Sequence, residues 1–349
     1  MKPPRGSIVN GETVILSDQD VAALLPHEQV VGMVDTVFQE WGRGNVVMPP
    51  KVNLDMSRSG HDSWANAMPA YLATEHVGGL KWVGGYGSNP AVGLPYIMGI
   101  VVLTDPETGQ TLALMDGIYI SDWRTGASAA IAAKYLARKG TARIALIGAG
   151  AQGRTAAVCL HEVFPAATLT VADISVPRRL AFCGELQAQF GLSISAAPSV
   201  NAAVADADVV VLLTTAREPF VKADWIPEGC LTLAMGSYQQ TADQLILEAD
   251  KIVVDCWGQA EHRGELKPLV EAGRIAASDV CAELGFIAAG MKPGRTSPRE
   301  RILAVLVGLG AHDVYVAGQV YQRALAAGVG QRVCLRHEDR PPRTSSTPG

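Results

Sequence analysis

A glycine-rich run, Gly148-Ala149-Gly150-Ala151-Gln152-Gly153, follows the apolar stretch Ile144–Ile147 and leads into a helix-like segment. Twenty residues beyond Gly153 the next apolar stretch, Leu169-Thr-Val-Ala, closes on Asp173. Strand, G-x-G-x-x-G, helix and acid in this order is the context in which the motif binds a dinucleotide. Gly148 permits the tight turn, Gly150 lets the backbone approach a pyrophosphate, and Gly153 lets the helix pack close to the strand. The N–H groups of the helix start then face the phosphates. Asp173 is placed to bond ribose hydroxyls and to repel a 2′-phosphate, so NAD is expected ahead of NADP. Arg178 and Arg179 follow closely and keep NADP as an alternative.

Three cations stand in a different setting. Lys51 follows Met48-Pro-Pro, Lys81 interrupts the apolar stretch Gly79-Leu-Lys-Trp-Val83, and Arg124 lies in Ser121-Asp-Trp-Arg-Thr125-Gly. Burying an ammonium in an apolar strand is costly unless an anion meets it. Each cation could instead extend to solvent or pair with a structural carboxylate. The seven histidines show no H-x-x-H or H-E-x-x-H spacing, and no G-x-S-x-G elbow or P-loop is present. Metal, serine-hydrolase and triphosphatase chemistry are therefore not expected.

The elements that must position these residues follow from periodicity. A strand at Thr13–Ser17 is followed by helical spacing through Val21, Leu24, Val30, Val34 and Phe38, with Ser17 and Asp18 available as caps. Strands at 51–55, 80–83, 97–104 and 111–115, with Asp105-Pro-Glu-Thr-Gly109 as a hairpin turn, predict a curved antiparallel sheet. A helix from Ser121 to near Gly140 delivers the chain to the glycine motif. Beyond it, helices near 177–190 and 200–205 alternate with apolar strands at 208–214, 230–235 and 251–255, the pattern of a doubly wound parallel sheet. The apolar stretch 301–327 is expected to form one long buried helix that returns to the N-terminal region or meets a second subunit.

The fold class expected is thus α/β: a Rossmann-type doubly wound parallel sheet with an α+β substrate-binding and dimerisation domain. Residues 126–314 are assigned to the first and 1–125 with 315–349 to the second, the polar tail 338–349 being disordered. With 48% hydrophobic and 18% charged residues and a net charge of −5, the chain has material for two cores and no reason to bind nucleic acid. No run reaches membrane-spanning length, and Met1–Asn10 has no apolar leader pattern, so a cytoplasmic protein is expected. The six cysteines are scattered without C-x-x-C and read as buried free thiols.

Several segments together resemble the ornithine cyclodeaminase/μ-crystallin family in order and spacing. They are Met68-Pro-Ala-Tyr, Leu80-Lys-Trp-Val-Gly-Gly-Tyr, Asp105-Pro-Glu-Thr-Gly through Asp116-Gly, Arg124-Thr-Gly-Ala-Ser, the glycine motif, Ala282-Glu-Leu-Gly and Lys292-Pro-Gly-Arg. The resemblance, over about 13–325, implies an NAD(P)-binding homodimer acting on a small amino or imino acid. It implies that Lys81 and Arg124 grip the α-carboxylate, with Lys51 where members commonly carry an arginine. Lysine cannot offer the bidentate fork, so Arg124 is left to supply it, and Lys81 is a candidate proton donor to an imine nitrogen. The cofactor set comprises Gly148, Gly150, Ala151, Gln152, Gly153 and Asp173, with Thr125, Thr214, Gly236 and Asp313.

Departures from the family are equally informative. Cyclodeaminases place a glutamate where this chain has Asn66 and an aspartate where it has Tyr238, and an amide and a phenol are poor substitutes for the base and the ammonium anchor of a cyclisation. Asn66 and Tyr238 are therefore read as substrate-binding. Ala304–Gly308, placed in the C-terminal helix, replaces a polar Lys-Ser and should make that wall more apolar; Tyr238, Trp82, Tyr86 and Trp123 are candidates for further aromatic lining. The reading is an NAD-preferring imino acid reductase or amino-acid dehydrogenase. An ammonia-eliminating cyclodeaminase and a non-catalytic, crystallin-like NAD(P)H-binding protein are the alternatives.

Overall fold

The computed structural model describes residues 11–335 apart from His61. The leader reading at 1–10 and the tail at 338–349 lie outside the described residues. The chain begins with β1 (Glu12–Leu16), α1 (Asp18–Leu24), α2 (Val30–Gly42), β2 (Val46–Val47), β3 (Val52–Asp55), β4 (Ser63–Leu72), β5 (Val77–Tyr86), β6 (Ile97–Thr104), β7 (Thr111–Asp116) and α3 (Ile118–Leu136). It continues with β8 (Arg143–Ile147), α4 (Ala151–Val163), β9 (Thr168–Ala172), α5 (Val176–Phe190), β10 (Ile194–Ala196), α6 (Val200–Val204), β11 (Val209–Leu212), β12 (Leu231–Ala234) and α7 (Asp243–Leu247). The last elements are β13 (Lys251–Val254), α8 (Trp257–Ala260), α9 (Lys267–Glu271), β14 (Val280–Glu283), α10 (Leu284–Ala288), β15 (Ile302–Val305), α11 (Gly310–Ala327) and β16 (Gln331–Cys334).

Two eight-stranded sheets result. The first runs β16-β1-β7-β6-β5-β4-β2, with β3 also on β4; the second runs β10-β9-β8-β11-β12-β15-β13-β14 and is parallel throughout. Strands β11, β12 and β15 are buried at every residue, as a parallel sheet covered on both faces requires. Alternate residues of β8 divide between two cores. Ile144 and Leu146 join a core that continues through α3, α2 and α11 to the first sheet, whereas Ala145 and Ile147 join a second core on the other face. The parallel sheet is therefore welded to the N-terminal sheet through one face only.

Local chemistry explains several boundaries. Ser17 and Asp20 form a reciprocal capping box at α1. Asp105 accepts from the backbone N–H of Glu107 and Thr108, closing the turn between β6 and β7 as expected. The predicted helix over 301–327 needs correction: Ile302–Val305 is a strand lying between β12 and β13, and α11 starts only at Gly310. Periodicity cannot distinguish a fully apolar buried strand from a buried helix, and the left-handed Gly308 (φ 87°) makes the break. Ala304 and Val305 are accordingly sheet core rather than helix. The chain does return: α11 packs on β4, β5, β6, α2 and α3, and β16 adds to β1. The expected domain limits at 125/126 and 314/315 fall inside α3 and α11; α3 packs on α2 and β6 and also on α4 and β12, whereas α11 packs on the N-terminal elements and α3. Cys159, Cys183, Cys230 and Cys256 are buried free thiols, but Cys281 is half-buried and Cys334 exposed.

Candidate active site

Lys81 sits in β5 opposite Met68 of β4, on the face that packs against α11. Its Nζ donates to Asp313 Oδ1 at 2.8 Å and to Ser121 Oγ at 3.2 Å. Arg124, in the second turn of α3 rather than at its start, donates from Nε to the same Asp313 oxygen at 3.1 Å and from Nη2 to Ser121 Oγ at 3.4 Å. All three charged side chains are buried, Lys81 at 1% exposure and Asp313 at none. Burial and the nearby Arg124 charge pull Lys81 down to about 8 despite Asp313. Burial alone would raise Asp313, but the two cations hold it below the ordinary carboxylate value. One anion thus answers two cations, and its second oxygen, Oδ2, is buried without a partner. Such an atom is costly unless a ligand or water meets it. Asp313, expected on the cofactor side, is placed here as the anion of the cation pair.

Lys51 approaches from the segment before β3 and donates from Nζ to the carbonyl of Val307, just past the end of β15. Burial first, then the charge of Arg263, lowers it to about 7. Asp255, which closes β13, accepts from Cys256 N at 2.8 Å and Gly308 N at 2.7 Å; burial raises it to about 6 against the pull of Lys51. Arg124 Nη1 stands against Gly308, where an added Cβ would lie only 2.8 Å from it. Lys51 and Arg124 therefore meet the carboxyl ends of the parallel strands, where open α/β sheets bind their ligands.

The glycine motif is built as its sequence requires. Gly148 has φ 117°, and a Cβ there would stand 2.8 Å from the Leu213 carbonyl; one on Gly153 would stand 2.2 Å from the Gly148 carbonyl. Gly150, N-cap of α4 with no side-chain cap, has nothing within 4 Å of the same position. Space is thus kept open only at the glycine that a pyrophosphate approaches, and these residues fit a dinucleotide. Asp173 accepts from Ala149 N at 3.0 Å and Ser175 N at 2.8 Å, which fixes its carboxylate beside the turn; Arg178 Nη1 is 3.9 Å away. Thr214 and Gly236, past β11 and β12, are joined by Gln240, whose Nε2 donates to the Thr214 carbonyl at 2.8 Å and would stand 2.9 Å from a Cβ on Gly236. Ala151 is exposed at the first position of α4. Gln152, on the same turn, donates to Asp122 at 2.8 Å and so ties the motif to the helix that carries Arg124; burial raises Asp122 to about 6. Thr125 Oγ1 bonds back to the Ser121 carbonyl at 2.7 Å within α3, so it caps no helix.

Asn66, on the Lys81 face of β4, accepts from Asn53 at 3.0 Å and from Arg263 at 3.1 Å. Tyr238 is exposed at the rim with Arg217 over its ring, 5.4 Å from the centroid. The other aromatic candidates lie elsewhere: Trp82 and Tyr86 take the opposite face of β5, as residues one or five places from Lys81 must, and Trp123 stacks on His27. His312 is held neutral, burial lowering it to about 3, against Ser128. Glu283 bonds Trp41 and the first N–H of α8, a structural role. Asp122, Asp255 and Arg263 were not anticipated. Asp255 carried a usable signal, an acid at the carboxyl end of an apolar strand as at Asp173; Arg263 lies in an irregular turn and carried none.

A parallel sheet with a glycine turn at its carboxyl edge, opposed by buried Lys81 of the first sheet and Arg124 of α3, defines a dinucleotide-binding protein of the Rossmann type. The chain belongs to the ornithine cyclodeaminase/mu-crystallin family, whose profile matches residues 11–328. Among curated relatives, an alanine dehydrogenase of Archaeoglobus fulgidus is 38% identical over 328 residues, covering 92% of this chain and 98% of the relative. A solved archaeal alanine dehydrogenase dimer with bound NAD superposes with a TM-score of 0.86 at 37% identity, covering 92% of this chain and 99% of that one. The Δ(1)-pyrroline-2-carboxylate reductase of Thermococcus litoralis, solved with NADH and L-proline, superposes at 0.85 with 32% identity over 92% of this chain and all of its own.

Proposed function

We propose that this protein is an NAD-dependent oxidoreductase that interconverts a 2-imino acid and the corresponding amino acid. The observation that carries the reading is the buried Lys81–Asp313–Arg124 cluster facing the dinucleotide edge of the parallel sheet. Gly148, Gly150, Ala151, Gln152, Gly153 and Asp173 would hold the cofactor, with Thr125, Thr214, Gly236 and the unpartnered Oδ2 of Asp313 as further contacts. NADH, when bound, supplies a hydride to the imine carbon and leaves as NAD⁺.

Arg124 offers its guanidinium fork and Lys51 its ammonium to the α-carboxylate, fixing the imine carbon in one orientation. Lys81, near neutrality in its pKa, gives one proton to the nitrogen and can regain it from solvent after release. Ser121 and Asp313 keep Lys81 and Arg124 from separating. Asn66 and Tyr238 border the side-chain end, where neither can serve as the carboxylate base of a cyclisation. The test is NADH consumption with 2-oxo acids plus ammonia and with preformed cyclic imines. Arg124→Ala should abolish the activity; silence of the native protein across that panel would defeat the reading.

The outer face of the first sheet supports a homodimer. Rows Val52–Ala67–Trp82–Ile100 and Leu54–Ala65–Gly84–Met98 cross it through successive strand pairings, and Val52, Leu54, Ile100 and Met98 are 64%, 46%, 41% and 41% exposed. A contiguous apolar face of this kind marks an interface, and a second copy of the chain would cover it. Light scattering should give a dimer that Ile100→Asp dissociates. Among the described residues no helix is long and apolar enough to cross a membrane; a cytoplasmic location is part of the proposal and fits an enzyme whose cofactor is a soluble metabolite.

A further inference from the structure

Arg263 is a further cation at this edge, and its contacts among the described residues are with neutral groups. Its Nη1 donates to Asn66 Oδ1 at 3.1 Å, its Nη2 to Ser237 Oγ at 3.3 Å, and its guanidinium lies over the Trp64 ring, 5.6 Å from the centroid. Among the described residues no carboxylate comes within 4.0 Å of it, whereas Lys81 and Arg124 share Asp313 and Lys51 faces Asp255. The position is held firmly. Two residues on, the buried Glu265 accepts from Gln240 N at 3.0 Å and Thr241 N at 2.8 Å, pinning the Arg263 turn to the loop that carries Ser237.

The spacing to the cation pair is readable from the register. Lys81 pairs with Met68, and Asn66 lies two residues further along β4 on the same buried face. Two residues of extended strand are about 7 Å, which puts the guanidinium held on Asn66 within a small substrate's length of the Lys81 position. Burial depresses the Arg263 pKa against an opposing pull from Tyr238, and Arg263 in turn helps to lower Lys51. An additional anion would relieve both. Where a diamine substrate needs a carboxylate, this chain therefore presents a guanidinium on an amide, which repels a distal ammonium.

We propose that Arg263 binds a second, distal carboxylate, making the preferred substrate a dicarboxylic 2-imino acid. The inference rests on the imino-acid reading of the site and adds the specificity-determining residue. The α-carboxylate stays with Arg124 and Lys51, and the distal one takes a bidentate place on Arg263, displacing its contact with Ser237; no bond to the distal group changes during the reaction.

The test measures kcat/KM for NADH oxidation by the full-length protein with ammonia and, in turn, pyruvate, oxaloacetate and 2-oxoglutarate, and with Δ(1)-pyrroline-2-carboxylate. A diacid should be preferred, and in Arg263→Gln the diacid-to-pyruvate ratio should fall about 30-fold, mainly through KM, as loss of a charge-assisted pair predicts. Arg263→Lys, which keeps the charge without the fork, should restore part of that ratio. Turnover of pyruvate or the cyclic imine in preference to both diacids, or equal loss on all substrates in Arg263→Gln, overturns the inference while leaving the imino-acid reading intact. If nothing turns over, calorimetric binding of L-aspartate and L-alanine to the NAD⁺ form decides. Tighter aspartate binding that is lost in Arg263→Gln upholds Arg263 as the distal anchor even as the catalytic reading fails, and equal binding of the two refutes it.

Discussion

Lys81 Nζ and Asp313 Oδ1 lie 2.8 Å apart with both side chains sealed from solvent, and Arg124 leans on the same oxygen. Removing the anion they share leaves two buried cations facing each other. Asp313→Asn should therefore lower the unfolding free energy by about 3–5 kcal/mol, the usual cost of breaking a buried pair from one side. Chemical denaturation of the two proteins measures it. A loss under about 1 kcal/mol would mean that water, not Asp313, compensates the cations.

The lysines act on different kinetic constants as pH rises. Lys81 must be protonated to give its proton, so kcat for imine reduction should fall with unit slope above about pH 8, and kcat for amine oxidation should rise up to the same value. Lys51 acts on binding and loses its charge near pH 7, which should appear as a rise in KM. Because Lys81 loses its proton at about 8 in the folded chain but holds it to 10.5 when unfolded, its contribution to stability rises with pH across that interval. Flat kcat profiles between pH 6 and 10 would remove Lys81 as the donor.

The three glycines of the motif separate folding from cofactor binding. Gly153→Ala drives a methyl to 2.2 Å from the Gly148 carbonyl, and overpacking of this kind costs about 1–3 kcal/mol or more. Gly150→Val meets no protein atom near its Cβ, so thermal stability should hold while NADH affinity, read by fluorescence titration, falls at least about tenfold. Unchanged affinity in Gly150→Val would place the pyrophosphate elsewhere.

Asp173 offers a test of cofactor choice. Its oxygens are occupied by Ala149 N and Ser175 N, which aims the carboxylate and holds the glycine turn, and Arg178 waits 3.9 Å away. Asp173→Ser keeps a hydrogen-bonding side chain but removes the negative charge. The ratio of kcat/KM for NADPH over NADH should rise by about 10- to 100-fold, Arg178 then being free for the 2′-phosphate.

The dinucleotide half was legible because its chemistry is local: glycine spacing, apolar strands and a terminal acid all lie within one continuous stretch. The cations were legible as types, since Lys81 interrupts an apolar run, but their shared partner Asp313 comes from 232 residues away and no spacing foretells it. Strand β4 was hidden by Pro69. Its missing N–H is tolerated there because β3 pairs only with residues 64–67 and β2 only with 71 and 72, so the proline sits where that side of β4 has no neighbour. Strand β15 was hidden for the opposite reason, a run so uniformly apolar that period carries no information. Arg263 depends on where two loops end in space.

Gly308 is where the two halves of the site touch, and it offers a test that needs no change to a charged group. Its backbone adopts φ 87°, its N–H is held by Asp255 at 2.7 Å, and Arg124 Nη1 fills the space a side chain would take. Gly308→Ala must pay about 1–2 kcal/mol for left-handed backbone and must also displace the guanidinium. If Arg124 is the fork that holds the α-carboxylate, KM for the imino acid should rise about tenfold or more while NADH affinity stays within twofold, since a misplaced guanidinium loses one of two parallel hydrogen bonds. A purely structural Arg124 predicts lower stability with KM unmoved. Reducing Asp255 to Asn should act in the same direction but more weakly, because its amide can still accept from Gly308 N while the charge facing Lys51 is gone. Comparing the two variants in one assay separates the position of the loop from the charge behind it.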